Sequence, residues 1–196
     1  MTPTHLLYLH GFRSSPLSTK AGQVAARVER LQASGQTLHW HCPQLPPSPA
    51  QAVRELLARL ADWPLERSAI LGSSLGGFYA TVLAERLGCP AVVLNPAVDP
   101  ARDLARHIGE QRAWHSEERF YFRPEYVDEL RALTPGRLTR LERYFAVIAK
   151  GDELLDWREM AARYRGAPQR VIDGSDHALS DFPAHIDAVF AFLGLG

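Results

Sequence analysis

The sequence is poor in several features that would have directed its reading elsewhere. It has two cysteines, Cys42 and Cys89, which lie far apart and match neither a zinc nor a redox spacing. Two unpaired thiols are expected, as in a reducing cytoplasm. No apolar run approaches the roughly 18 residues of a membrane span, and no leader-like segment precedes the first apolar stretch. A soluble, cytoplasmic protein is therefore expected. Neither sign of charge is in excess, since Lys+Arg and Asp+Glu both stand at 22 and the formal net charge is zero. That argues against a nucleic-acid or membrane-surface footprint. Internal repeats and low-complexity tracts are missing too. What remains is ordinary for a folded chain: 196 residues, 46% hydrophobic and 22% charged, are enough for one domain with a substantial core.

The chain is organised around the stretch 69–79, AILGSSLGGFY. A short apolar run ends in Gly72-Ser73-Ser74-Leu75-Gly76 and passes into a helical pattern through Phe78, Val82 and Leu83. That is strand, abrupt turn and helix, with a serine in a G-x-S-x-G setting. On so tight a turn the residues two places either side of the serine come close together, and glycine fits there best. Register selects the serine. Ser74 has Gly72 and Gly76 at the required positions, whereas Ser73 would need glycines where Leu71 and Leu75 stand.

Around this stretch, apolar runs alternate with helical patterns in units of about 30 residues, the signature of a parallel α/β sheet. Strands are expected at 5–9, 37–41, 67–71, 91–94, 144–149 and 170–173. Helices are expected over Ala21, Val24, Val28 and Leu31, over Val53 to Leu60 behind a capping box at Ser48, Pro49 and Gln51, after the serine turn to about Gly88, over Trp157 to Tyr164, and over Ile186 to Leu193. The alternation breaks between about 96 and 143. With no convincing strand in it, this stretch reads as an inserted, mostly helical cap.

A serine hydroxyl needs a base near neutral pH, and the base needs a third group to fix its tautomer. In such a fold the chain order is serine, acid, histidine, with the last two in loops after late strands. Asp152 follows the fifth expected strand and His177 the last one. Asp152 is preferred over Glu153 and Asp156; the latter, with Glu159 three residues on, already reads as a helix capping box. Asp173 and Asp176 share the histidine's own strand exit and read as turn residues. Of eight histidines, only His177 and His185 lie beyond the acid, and His185 falls in the terminal helix pattern. Donors for a developing oxyanion are expected from the backbone N–H of Leu75 and, after the first strand, of Phe12 in His10-Gly11-Phe12.

With these residues in place the chain resembles the α/β-hydrolase fold, and within it the small bacterial YqiA-like esterases. LYLHGFRSSPLSTKA, GSSLGGFYAT, LNPAV, KGDELLDW and GSDHAL carry the resemblance. It implies hydrolysis of carboxylic esters, extending to acyl thioesters such as acyl-CoA, by Ser74, Asp152 and His177, without a cofactor. A small-molecule substrate is implied, with no nucleic-acid or membrane partner. Two rivals use the same framework: peptidase or acyltransferase chemistry, and a hydrolase fold kept as a ligand-binding or interaction module.

The other signals carry less. His39 and His41 share a strand face but have no third ligand at a suitable spacing, so no metal site is expected. The aromatics Trp114, Phe120 and Phe122 either line an acyl pocket or pack the cap onto the sheet. The cap holds as many acids as arginines, which solvated ion pairs explain; a cluster of these arginines would also suit a phosphorylated leaving group.

Overall fold

Six apolar stretches pair into one sheet in the computed structural model, which describes residues 2–114, 117 and 119–196. They are β1 (His5–Leu9), β2 (His39–His41), β3 (Ser68–Ser73), β4 (Ala91–Leu94), β7 (Tyr144–Ala149) and β8 (Gln169–Ile172), in spatial order β2-β1-β3-β4-β7-β8. Every neighbouring pair is parallel. All residues of β3, β4 and β7 are buried, which is why these strands read as unbroken apolar runs.

Successive residues of a strand face opposite ways, so the sheet has two cores. Leu7, Leu9, Ile70, Val93 and Ile148 pack with residues of α2 (Pro49–Leu60), α3 (Leu75–Leu87), α5 (Pro124–Leu133) and α6 (Trp157–Arg163). Leu6, Tyr8, Leu71, Val92 and Val147 pack with α1 (Thr19–Ala33) and α7 (Ile186–Phe192). The apolar faces expected of the helices are the buried ones: Ala21, Val24, Val28 and Leu31 in α1, and Val53, Leu56 and Leu60 in α2. Gly35 and Gly88 follow α1 and α3 at φ 94° and 82°, conformations open to glycine at little cost. Cys42 and Cys89 are free, and burial pushes both thiols up, to about 12 and about 11. Among the described residues no helix is long and apolar enough to cross a membrane.

Strand order decides where a site can form. From β1 the chain steps outward to β2, then returns to the other side of β1 for β3. The loops leaving β1 and β3 therefore diverge, and a crevice opens at the carboxyl ends of these adjacent strands.

Several expectations are corrected. β2 is shorter than 37–41, β3 runs on to Ser73, and β8 ends at Ile172. The segment between β4 and β7 is not purely helical. Besides α4 (Pro100–Leu104) and α5 it contains an antiparallel hairpin of β5 (Gly109–Arg112) and β6 (Arg119–Phe122). The capping boxes are only half formed. Ser48 accepts from Gln51 N–H as expected, but its hydroxyl donates to Glu129 on α5, which also accepts from Ala50 N–H. Likewise Asp156 caps α6, whereas Glu159 takes a bidentate ion pair from Arg102. In the first case an acid, Glu129, and in the second a base, Arg102, ties the inserted segment to the helix beneath.

Candidate active site

Ser74 closes β3 and opens α3 at φ 56° and ψ −121°, a conformation that costs a non-glycine residue about 1–3 kcal/mol. Backbone contacts hold it there. Its N–H donates to Leu94 O at 2.9 Å, and its carbonyl accepts from Gly77 N–H at 2.9 Å and Ala97 N–H at 3.1 Å. The flanking glycines are required by close approach. A Cβ on Gly72 would stand 2.1 Å from Gly76 O, and one on Gly76 would stand 2.0 Å from Leu9 O. Gly11 faces the turn from β1, with its own would-be Cβ 3.2 Å from Ser74 Cβ.

The histidine loop brings His177 Nε2 to 3.0 Å from Ser74 Oγ and Nδ1 to 2.8 Å from Asp152 Oδ2. The Asp152 side chain is 0% exposed and that of His177 18%. The second carboxylate oxygen of Asp152 accepts from Leu154 N–H and Leu155 N–H at 2.9 and 2.8 Å. A carboxylate so held accepts from Nδ1–H, and this tautomer leaves Nε2 free to accept from the Ser74 hydroxyl.

The competing acids have other work. Asp156 accepts from Arg158 N–H, and Asp173 pairs with Lys150. Glu153 accepts from the backbone N–H of His177 at 2.9 Å, so it anchors the histidine loop from outside the Ser–His–Asp line. Asp176 accepts from both the N–H and the hydroxyl of Ser180. His185, at the start of α7, pairs with Asp181. His39 stacks on His5 and His41 packs against Trp63 at the sheet edge.

Asn95 was missed by the reading of single residues, although it lies within the LNPAV stretch. Fully buried at φ 40°, it donates through Nδ2 to Asp176 O at 2.9 Å and His177 O at 3.2 Å. Its Oδ1 accepts from Ala149 N–H at 2.8 Å. One amide thus joins the end of β4 to the end of β7, which leads to Asp152, and to the loop carrying His177. No local pattern marks such a residue, because its partners lie more than 50 positions away.

Among the described residues, the amides of Leu75 and Phe12 donate to no other protein group. Both residues line a cavity of about 690 Å³ that opens over Ser74 and His177, a volume typical of small-molecule sites. The aromatics expected either to line an acyl pocket or to pack the cap part company here. Trp114 lines this cavity but is 66% exposed, Phe120 lines a smaller cavity of about 300 Å³, and Phe122 is buried and lines neither. The Phe122 ring packs against Phe12 and Tyr126, 5.2 and 5.5 Å between centroids, so it anchors the inserted segment to the loop after β1.

Comparison with known proteins gives the chain a family and a fold. Residues 5–194 match the model of an uncharacterised protein family, UPF0227. A UPF0227 protein of Yersinia pseudotuberculosis is 28% identical over 133 residues, 67% of each chain. Among solved structures, mouse alpha/beta hydrolase domain-containing protein 10 superposes with a TM-score of 0.65 at 16% identity, over 96% of this chain and 90% of that one. Est1E of Butyrivibrio proteoclasticus, solved with ferulic acid, gives 0.66 at 15% identity, over 97% and 86%. A monoacylglycerol lipase of Paleococcus ferrophilus gives 0.67 at 13% identity, over 100% and 96%. By sequence the chain belongs to the UPF0227 family, and by architecture it has the α/β-hydrolase fold.

Proposed function

We propose that the protein is a serine hydrolase of carboxylic esters, extending to acyl thioesters, with Ser74 as nucleophile, His177 as base and Asp152 as the acid that orients it. The observation that carries this reading is the continuous line of contacts from Ser74 Oγ through His177 to Asp152, at 3.0 and 2.8 Å. His177 Nε2 takes the serine proton as Oγ adds to the carbonyl carbon. The resulting oxyanion is held by the amides of Leu75 and Phe12, oriented before the reaction begins. Collapse breaks the bond to the alcohol or thiol, which leaves with the proton from His177. Water then gives a proton to Nε2 and adds to the acyl-enzyme, releasing the acid and restoring Ser74. The segment 96–143 acts as the cap of one domain, and no cofactor enters. Two free thiols of raised pKa suit a cytoplasmic location.

The test is a p-nitrophenyl ester together with a fluorophosphonate probe. Wild type should turn over the ester and label stoichiometrically, and Ser74→Ala should do neither while keeping its fold. Asp152→Asn should lower kcat by about 10⁴-fold, the scale of losing a triad acid's charge. Ester turnover by Ser74→Ala close to wild type, or an equal loss in Asp156→Asn but none in Asp152→Asn, would overturn the assignment. Amide and alcohol-acceptor substrates distinguish peptidase and acyltransferase rivals, and absence of labelling would favour a binding module.

A further inference from the structure

The cavity over Ser74 has an uneven charge. Arg13, Lys20 and Arg106 line it, drawn from the loop after β1, from α1 and from the inserted segment. Its one lining carboxylate outside the Ser–His–Asp line, Asp103, is engaged by Arg102 Nε at 2.8 Å. Most arginines of the inserted segment are matched in this way: Arg102, Arg112, Arg119, Arg131 and Arg140 each pair with an acid. Among the described residues, Arg13, Lys20 and Arg106 have no carboxylate within ion-pair distance. Lys20 is acted on by the charges of Asp176 and Asp152, so in a chain of zero formal net charge the surplus of positive charge on this cavity rests mainly on Arg13 and Arg106.

Arg13 is also held in place. Its backbone stands at φ 62°, its guanidinium lies 4.3 Å from the centre of the Trp114 ring, and its Nε donates to Arg112 O at 2.7 Å. The Arg13 carbonyl accepts from Trp114 N–H at 2.8 Å. With Nε and the ring face engaged, the two terminal nitrogens form the free edge of the fork, the geometry that suits a carboxylate or phosphate. The Lys20 ammonium donates to Ala178 O in the histidine loop, and burial pulls it down to about 8 against the raising charges of Asp176 and Asp152. His107, also on the cavity, is kept below its ordinary value first by burial and then by the positive charges of Arg106 and Arg13. Arg13 and Arg106 thus set a positive field on this side of the cavity, which low-dielectric walls focus.

We propose that Arg13, Arg106 and Lys20 form a receptor for an anionic oxygen group, a carboxylate or a phosphate, carried by the ester that Ser74 attacks. The inference rests on the hydrolase reading and adds the class of substrate. The receptor differs from the arginine-rich surface of the inserted segment, since two of its three members come from outside that segment. Arg13 directly follows Phe12, so its backbone is about 3.8 Å from that of the proposed oxyanion donor. A charge held there would also fix the distance between the anion and the reacting carbonyl.

The test compares esters matched in length but not in charge. p-Nitrophenyl valerate is set against mono-p-nitrophenyl glutarate, which carries a carboxylate on the acyl side. Valerate esters of phenol, para-hydroxybenzoate and para-hydroxyphenyl phosphate place a carboxylate or phosphate on the leaving group. At least one anionic ester should exceed its neutral partner in kcat/KM by about tenfold or more at low salt, as charged hydrogen bonds allow. That ratio should shrink with added salt and fall by about tenfold in Arg13→Gln and in Arg106→Gln. Arg13→Lys, which keeps the charge but loses the fork, should recover part of it. Equal kcat/KM for charged and neutral esters, or a ratio unchanged in both glutamine variants, would overturn the inference and leave the hydrolase reading intact. Binding of glutarate or phenyl phosphate to Ser74→Ala, followed by calorimetry, reads the receptor without turnover; no heat from either would also overturn it. Failure of every ester together with failure of Ser74 to label would remove the hydrolase reading itself.

Discussion

Ser74 and His177 meet at 3.0 Å, yet the two are held by opposite means. The serine turn is fixed by steric exclusion: backbone presses on backbone at Gly72 and Gly76, and no titratable side chain takes part. The histidine loop is fixed by polar side chains reaching in from elsewhere. Asn95 holds the Asp176 and His177 carbonyls, Glu153 the His177 amide, and Lys20 the Ala178 carbonyl. Within the loop, Asp176 and Asp181 accept from Ser180 and Ser175. A rigid serine, the proposed nucleophile, thus faces a histidine, the proposed base, whose position depends on a network. Damage should be all-or-none on one side and graded on the other.

The largest effect is expected at the turn. In Gly76→Ala the new methyl would sit 2.0 Å from Leu9 O and 2.7 Å from His10 O, so β1 or α3 must move. A loss above about 3 kcal/mol, or failure to fold, is expected in denaturant titrations. Gly22 is the control, because a Cβ there, in the first turn of α1, meets nothing within 4 Å. Gly22→Ala should instead stabilise by about 0.5–1 kcal/mol, since alanine loses less freedom in a helix. Comparable losses in the two variants would show that close approach does not shape the turn.

Asn95 sharpens the comparison from the other side. Asn95→Ala leaves the Ala149 amide and two loop carbonyls without their partner and puts alanine at φ 40°. Asn95→Asp keeps an acceptor for Ala149 but turns a carboxylate toward carbonyls. Turnover per titrated active site should fall by about 10²-fold in both, the scale of a displaced catalytic group, with a shifted pH profile and little change in KM. Destabilisation alone would lower the amount of folded enzyme but leave turnover per labelled serine and its pH profile as in wild type.

The same contrast explains what could be read from the sequence. The serine turn was legible because steric exclusion leaves a local mark: Gly72, Ser74 and Gly76 lie within five positions. The buried strands were legible because a parallel sheet covered on both faces demands unbroken apolar runs, as in 91–94 and 144–149. The network around His177 was not, because the bonds that anchor the loop from elsewhere join residues remote in sequence, and Asn95 or Glu153 alone carries no pattern. The β5–β6 hairpin escaped for another reason. Gly109–Arg112, GEQR, has neither β-branched residues nor apolar alternation, and its partner face is marked by ions such as Arg119 on Glu110 at 2.8 Å. For Phe122 pocket lining and cap packing stayed equally open, because a cap aromatic looks the same in sequence whether it turns toward a cavity or into a core.

The smallest expected effect separates the two regions by pH. Hydrogen bonds from the Ser180 hydroxyl and N–H hold the Asp176 carboxyl below its ordinary 3.8, and the nearby Lys20 ammonium adds to this while Asp181 opposes it. Asp181 is lowered mainly by the Ser175 hydroxyl, with His185 assisting. A carboxyl whose folded value is depressed contributes stability above its unfolded value, and that contribution is lost as pH falls through the folded one. Thermal melts should therefore show Asp176→Asn below wild type near neutral pH, by a margin that closes as the medium is acidified below 3.8. The penalty of Gly76→Ala should stay constant over the same range, because no proton binds at the turn. A margin for Asp176→Asn that persists in acid would mean that the loop depends on the shape of its turn rather than on the charge of its carboxylates, and the contrast between the two regions would fail.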